Sequence, residues 1–576
     1  MTSSITATPA ARPDHRHNAP QVDWDSPITP EPAFAALDRS VARHGPRPYL
    51  NFLGRVWTYA ETADLINRAA KGFQKMGVRK GVSVGLCLPN CPYYPIAYFG
   101  ILKAGGTVVN FNPLYVEREI AHQVRDSGTR IMVTLDLKQI YPKVQAVMND
   151  PSTPLERVVI CPMRDVMPTV LGVLFRVFKR SELAEIPNDL QHASFTQLVD
   201  NDGKFTVPEI DPLNDVAVLQ YTGGTTGVPK GAMLTHANLS ANTDQARRWF
   251  PGVKAGEEKV MAVIPFFHVF AMTAILNFGT AAGAELILLP RFELEQFLKA
   301  IHKYRPTLMA AVPTIFTAIL NAKDREKYDL SAFRFCISGG APLPVEVKHR
   351  FESLTGCRLV EGYGLSESSP LATCNPIDGP NKDGAIGVPF PGTTITIHSL
   401  DHPDREVEPG EKGEVCISGP QVMKGYWNRP EDTAQTIRDG RLHTGDVGYV
   451  DPDGFIFLVD RIKDVIIAGG YNVYPRVIEE ALYLHPDVAE VVCIGIPDQY
   501  RGQAPKCFVR LKSAAGEVSP DDLKAFLGDK ISRIEMPKAI EIRDELPKTM
   551  VGKLSKKELV EEEKRRLEAE KANAPL

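Results

Sequence analysis

Between residues 57 and 134 the apolar positions alternate between helical and strand-like spacing. Thr58 followed by Glu61 makes a capping box, and Leu65, Ile66, Ala69, Phe73 and Met76 then share one face as far as Gly77. Residues 82–88 form a short apolar run stopped by Pro89-Asn90. A second helical pattern ends at Gly105-Gly106, 107–111 predicts a strand, 116–126 a helix and 131–134 another strand. Strands separated by helices of this length predict parallel, buried sheets joined by crossovers. The fold class is α/β.

Residues 216–221 predict an apolar strand running into the loop Thr222-Gly223-Gly224-Thr225-Thr226-Gly227-Val228-Pro229-Lys230-Gly231, with a helix over 239–249 behind it. A strand over 334–337 ends at Ser338-Gly339-Gly340-Ala341-Pro342, and one over 358–360 ends at Glu361-Gly362-Tyr363-Gly364. The three loops are expected to converge on one edge of a sheet, where open α/β sheets bind ligands. Beyond residue 380 the chain turns to short strands punctuated by Gly and Pro, the pattern of a β-rich subdomain. The strand over 455–459 leads into Asp460-Arg461-Ile462-Lys463-Asp464. A compact α+β unit follows: a helix from Pro475, strands over 488–494 and 506–511, a helix from Ser519 and a strand over 539–542. The expected organisation is a disordered tail over 1–25, a large domain over 26–459, a hinge over 460–464 and a small domain over 465–576. The small domain ends in an exposed, highly charged helix over 561–571.

A chain of 576 residues with a net charge of −4 and interspersed signs builds no positive field, which argues against a nucleic-acid partner. Nine cysteines lie scattered in apolar contexts, and the pair Cys87-x-x-x-Cys91 has no second pair to complete a zinc site. Reduced thiols in a cytoplasmic protein are the expectation. No apolar run reaches the length of a spanning helix. The first twenty residues lack the apolar core of a secretory signal.

The loop Thr222–Gly231 has the chemistry a nucleoside triphosphate needs. Its glycines let backbone N–H groups face phosphate oxygens, its hydroxyls add donors, and Lys230 supplies a mobile positive charge. It is not a Walker A sequence, because Lys230 follows Pro229 and precedes Gly231. A tight surface turn is the rival reading. Three hydroxyls, four glycines and a Pro-Lys-Gly end within ten residues weigh against it.

Further motifs follow in order: Ser338–Pro342, Glu361-Gly362-Tyr363-Gly364-Leu365-Ser366-Glu367, His443-Thr444-Gly445-Asp446, Asp460–Asp464, and Pro547-Lys548-Thr549-Met550-Val551-Gly552-Lys553-Leu554. With Tyr221–Gly231 they resemble the adenylate-forming superfamily of acyl-CoA synthetases, firefly-type luciferases and peptide-synthetase adenylation domains. The overall pattern is most similar to bacterial medium- and long-chain fatty acid–CoA ligases.

That resemblance implies ATP, Mg2+ and CoA as the small molecules of the reaction. Thr222, Gly223, Gly224, Thr225, Thr226, Gly227 and Lys230 would cradle the phosphates. Tyr363 would stack on adenine between Gly340 and the backbone of Glu361 and Gly362, with Gly364 and Ser366 in the same nucleotide loop. Glu367 and Thr222 would hold the metal. Asp446 would accept the ribose hydroxyls, with Arg461 beside it. Lys553 would stabilise charge at the α-phosphate during acyl-AMP formation. Lys463 matches the hinge about which a mobile small domain turns between half-reactions. Gly469-Gly470-Tyr471 would then replace Lys553, with Gly470 leaving room for pantetheine.

His268 lies in Pro265-Phe266-Phe267-His268-Val269-Phe270-Ala271-Met272, where the superfamily places an acyl-pocket motif. Amino-acid-activating relatives hold an Asp near this place. His268 among aromatic and aliphatic neighbours argues for an apolar acyl chain, hence a fatty acid. A dicarboxylate- or aromatic acid–CoA ligase and a fatty acyl-AMP ligase are the enzymatic alternatives. Residues 166–180 (VMPTVLGVLFRVFKR) read either as a peripheral contact with the inner face of a membrane or as a packed helix with a basic end. Oligomeric state stays open, with a homodimer among the possibilities.

Overall fold

The computed structural model describes residues 13–222, 229–469, 471–498, 500–512, 515–549 and 552–572, with side chains as far as 567. Two large α/β sheets make the body. The first runs in the order His192–Ser194, Arg157–Cys161, Ile131–Leu135, Ser83–Cys87, Thr107–Asn110, Val216–Thr222 and Lys230–Thr235. Its neighbours are parallel except the last two strands, which form an antiparallel hairpin. Ser83–Cys87 and Ile131–Leu135 are buried along their whole length, as helices on both faces require. The expected capping box is present: Thr58 Oγ1 accepts from the Glu61 N–H, and Glu61 accepts from the Thr58 N–H.

The second sheet has nine strands, with a parallel core containing Lys259–Ala262, Leu308–Ala311, Phe335–Ser338 and Arg358–Tyr363. Two sequence expectations change here. The three ligand loops do not share one sheet edge: the Thr222–Gly231 loop leaves the first sheet, and the other two leave the second. Strand order is set by long crossovers, which local periodicity does not report. The strand at Arg358 also continues through Tyr363, because Gly362 and Tyr363 pair antiparallel with Cys374 and Thr373.

The β-rich subdomain is a five-stranded antiparallel sheet that includes Gly413–Ser418, Arg441–Val450 and Ile456–Arg461. The buried apolar cluster of the body runs from Ala19 to Ile456, and a separate cluster begins at Ile466. The second cluster lies under the sheet containing Ile466–Ala468, Val488–Asp498, Gly502–Leu511 and Ala539–Ile542.

Residues 13–25 depart from the expected disordered tail. Asn18, Ala19 and Val22 are buried, Asn18 Nδ2 donates to the Asp453 carbonyl at 2.8 Å, and Trp24 meets Trp249 edge-on. A few apolar anchors suffice to seat this polar segment. The terminal helix Lys556–Ala572 is likewise not wholly exposed. Leu559 and Glu563 are buried, and Glu563 accepts from Lys506 Nζ at 2.5 Å.

Candidate functional site

One half of the candidate site forms where the second sheet meets the β-rich subdomain. Tyr363, on the strand Arg358–Tyr363, donates to Asp446 Oδ2 at 2.6 Å, and Arg461 Nε lies 3.2 Å from Asp446 Oδ1. Cross-strand pairing of Asp446 with Arg461 sets that second contact. Burial raises the Asp446 carboxyl, opposed by the Arg461 guanidinium. Burial also pushes Glu361 up to about 7, against the charge of Arg476 from the small domain. At Gly364 a Cβ would lie 1.5 Å from the Pro370 carbonyl oxygen, so the loop bearing Ser366 and Glu367 closes only with glycine there.

The Asp446 turn is held from behind by groups that motif reading did not single out. Glu414 Oε1 accepts from the Gly445 N–H at 3.0 Å, and Glu414 Oε2 lies 2.8 Å from His443 Nδ1. Gly445 sits at φ +71°. Thr444 Oγ1 donates to the Val415 carbonyl and accepts from the Asp446 N–H. Glu414, Cys416 and His443 carry metal-ligand chemistry within 4.8 Å of one another. The Arg438 guanidinium, 2.6 Å from His443 Nδ1, already places a cation there.

In the other half, Thr222 and Lys230 face each other across the hairpin and close the ends of the loop. Gly223, Gly224, Thr225, Thr226 and Gly227 lie outside the described residues. Lys230 Nζ meets Asp432 Oδ1 at 2.5 Å and stands 5.3 Å from the Tyr426 ring centroid. Tyr426 in turn donates to Glu367 Oε1 at 2.7 Å. Behind the loop, Tyr221 donates to Asp126 Oδ2 at 2.6 Å, and Trp427 Nε1 donates to the Asp126 carbonyl at 3.0 Å. Glu367 and Thr222 offer a carboxylate and a hydroxyl, hard oxygen donors that fit Mg2+.

The small domain brings Lys553 to this site. Thr314 Oγ1 donates to the Gly552 carbonyl at 2.7 Å. Gly340, at φ +79°, is so close that a Cβ there would lie 2.7 Å from Lys553 Cε and 2.9 Å from its Nζ. Burial, then the Arg461 charge, lowers the Lys553 ammonium to about 8. Burial, then Lys553, lowers His268 to about 3, so its ring is neutral at working pH. His268 Nδ1 accepts from the Phe270 N–H at 3.3 Å, which leaves the ring proton on Nε2. Lys463 stands exposed in the turn Ile462–Asp464, its ammonium lowered by partial desolvation and by Arg461. Gly470 lies outside the described residues.

Of the aromatic residues near His268, Phe266 is fully buried against Tyr94 and belongs to the body core. Phe270 packs beside Gly339 in the Ser338–Pro342 loop. A π-helical segment, Met272–Asn277, follows directly within the same helical run. Such segments recur at functional sites because they re-aim side chains along a helix.

A family model described as "AMP-binding enzyme" matches residues 37–427, and one described as "AMP-binding enzyme C-terminal domain" matches 477–553. The chain belongs to the AMP-binding enzyme family. It is 44% identical over 545 residues to a long-chain-fatty-acid–CoA ligase of Bacillus subtilis (strain 168), covering 94% of this chain and 96% of that protein. It is 39% identical over 533 residues to a protein of the same name from Escherichia coli O157:H7, covering 91% and 93%. Among solved structures it resembles ATP-bound MatB from Rhodopseudomonas palustris, with a TM-score of 0.79 and 26% identity over 92% of this chain and 99% of that one. The anthranilate CoA ligase AuaEII in complex with anthranoyl-AMP gives a TM-score of 0.83 at 25% identity, over 94% of this chain and 99% of that one.

Proposed function

We propose that this protein is an ATP-dependent fatty acid–CoA ligase acting on medium- and long-chain acids. The carboxylate oxygen attacks the α-phosphorus of ATP, the bond to pyrophosphate breaks, and acyl-AMP forms. The CoA thiolate then attacks the acyl carbon, a C–S bond replaces the C–O bond, and AMP leaves. The observation that carries the reading is the meeting of Lys553 with Gly340, beside a neutral His268 in apolar surroundings. A charged amine would find no carboxylate partner in His268, whereas a carboxylate would meet the Lys553 ammonium and a donor at Nε2.

Tyr363 and Gly340 would hold adenine, and Asp446 and Arg461 the ribose. Lys230 would exchange Asp432 for phosphate oxygens. Glu367 and Thr222 would hold Mg2+, which neutralises phosphate charge when bound. The small domain would turn about Lys463 for the thioester step, bringing the Gly469–Tyr471 segment in place of Lys553. The relatives named as long-chain-fatty-acid–CoA ligases support the fatty acid substrate.

The test is a panel of acids with MgATP and CoA, reading pyrophosphate, AMP and thioester. Octanoate to oleate should give all three products. Pyrophosphate without thioester would make the protein an acyl-AMP ligase, and preference for benzoate or malonate would redirect the substrate. Lys553→Ala should lose acyl-AMP formation by about a thousandfold, as expected for removing one preorganised charge at the reacting centre, yet keep thioester formation from supplied acyl-AMP. Equal loss of both would refute this division of labour.

A further inference from the structure

The strand Ile456–Arg461 belongs to the sheet of the β-rich subdomain, where Asp460 pairs with Val447 and Arg461 with Asp446. Asp460 is thus fixed to the body just before the chain turns toward the small domain at Ile462–Asp464. Nothing in the chemistry proposed above uses its carboxylate. Yet that side chain exposes only 5% of its surface, and a buried charge needs partners. Asp460 takes two of them from beyond the hinge. Its Oδ2 accepts the Arg476 N–H at 2.9 Å. Its Oδ1 accepts the Arg461 N–H at 2.8 Å and lies 3.8 Å from Lys556 Nζ. Arg476 and Lys556 both belong to the small domain.

The helix Pro475–Tyr483 has no cap of its own, since Tyr474 at its N-cap position makes no capping side-chain hydrogen bond. Pro475 carries no N–H, so the Arg476 N–H is the first donor this helix leaves free. Asp460 supplies the missing acceptor from the body, and its charge suits the positive end of the helix. Beside this contact Val447 and Val459 of the body pack with Tyr474 of the small domain. Lys556 stands three residues beyond Lys553 and opens the terminal helix Lys556–Ala572. Its ammonium also faces Glu479 at 3.6 Å and Asp464 at 4.0 Å. Burial opposes that charge, but Glu479, Asp460 and Asp464 together outweigh burial and raise it. The helix that follows the hinge and the segment that follows Lys553 therefore lean on one body carboxylate.

We propose that Asp460 is a positioning residue for acyl-AMP formation, latching the small domain across the hinge in the arrangement that sets Lys553 against Gly340. The latch rests on the two-step reading above, with a small domain that turns between the steps. Beyond its neighbour's backbone N–H, Asp460 touches none of the groups assigned to the reactants. It acts through Arg476 and Lys556, and so on Lys553. A turn about Lys463 carries Arg476 and Lys556 away from a carboxylate that stays in the body sheet. Both contacts then belong to the first step and are given up for the second. Removing the carboxylate weakens one arrangement of the two, whereas a contact that merely held the small domain together would be needed in both.

The two half-reactions, measured separately on the full chain, test this. Pyrophosphate exchange with octanoate and MgATP reads the first, and thioester formation from supplied octanoyl-AMP and CoA reads the second. Asp460→Ala should slow exchange about ten- to a hundredfold, as for a lost hydrogen bond to a charged group, while thioester formation stays within about twofold of wild type or rises. Asp460→Asn keeps a carbonyl oxygen for the Arg476 N–H and should recover most of the exchange rate. Lys556→Gln removes the other contact from the small-domain side and should show the same split, about threefold or more, which keeps the test decisive if Asp460→Ala does not fold. With wild type active in both steps, variants that lose both equally, or an exchange rate unchanged by Asp460→Ala, would overturn the latch alone. A wild type inactive in either step would instead overturn the ligase reading, and the latch with it.

Discussion

Tyr426 donates a 2.7 Å hydrogen bond to Glu367 Oε1, and the same ring lies 5.3 Å from the Lys230 ammonium. One side chain thus links the carboxylate proposed for the metal with the lysine proposed for the phosphates. Burial and the Glu367 charge raise the Tyr426 phenol, so it stays a donor across the working range. A hydrogen bond to a charged group contributes about 1.5–3 kcal/mol, or roughly ten- to a hundredfold in rate if it is felt in the transition state. Tyr426→Phe should slow acyl-AMP formation by that factor and raise the Mg2+ concentration for half-maximal rate. Pyrophosphate exchange measured against free Mg2+ decides it. An unchanged Mg2+ dependence would reduce Tyr426 to packing.

Lys553 gives the pH dependence a definite sign. Its ammonium titrates at about 8, so the charged form is lost as pH rises through that value. About nine-tenths is charged at pH 7 and about one-tenth at pH 9. The kcat/KM for ATP in acyl-AMP formation should therefore fall above pH 8. Bound phosphates favour the ammonium, so the same limb in kcat should lie at higher pH. Glu361 titrates nearby, at about 7, and could mimic the effect. Lys553→Arg separates them: a guanidinium keeps its charge, so the limb near 8 should vanish. A limb that stays would assign it to Glu361.

Glu414 acts on Asp446 through the turn between them, by its contacts to the Gly445 N–H and to His443. It touches none of the groups assigned to ATP and is a positioning residue. Glu414→Ala frees the Gly445 turn and should raise KM for ATP about tenfold, close to 1.4 kcal/mol, with KM for CoA unchanged. Glu414→Gln keeps one acceptor for the Gly445 N–H and should recover most of the loss. Equal increases for ATP and CoA would point to general damage of the fold.

These contacts mark where reading the chain stops. Helices and strands of the body were legible because their signals are local: the Thr58–Glu61 cap, the apolar face ending at Gly77, and strands buried on both faces. The sheet carrying each ligand loop was not, since long crossovers decide strand order. Lys553 was reachable only through its motif, because the small domain brings it to Gly340, more than two hundred residues earlier in the chain. Tyr426, Asp432 and Glu414 carried no signal. Their roles come from pairings across 59 residues to Glu367, 202 to Lys230 and 31 to Gly445.

Lys506 and Glu563 tie the terminal helix to the small-domain sheet. Lys506 Nζ lies 2.5 Å from Glu563 and 2.7 Å from Glu541, and both Lys506 and Glu563 are buried. Removing one partner of a buried pair leaves an uncompensated charge and costs about 3–5 kcal/mol when nothing replaces it. Glu541 remains beside Lys506, so Glu563→Ala should cost less, about 1–3 kcal/mol, in line with a lost charged hydrogen bond. A chain whose body and small domain carry separate apolar clusters need not unfold in one step, so a single melting temperature is a poor gauge. Hydrogen exchange resolves the domains: amides of Gly502–Leu511 should exchange roughly ten- to a hundredfold faster in the variant, with those of Ser83–Cys87 unchanged. Lys506→Met paired with Glu563→Leu removes both charges and fills the space, and should return protection to near the wild-type level. If the double variant were as labile as Glu563→Ala, packing of the helix rather than the buried charge would account for the loss.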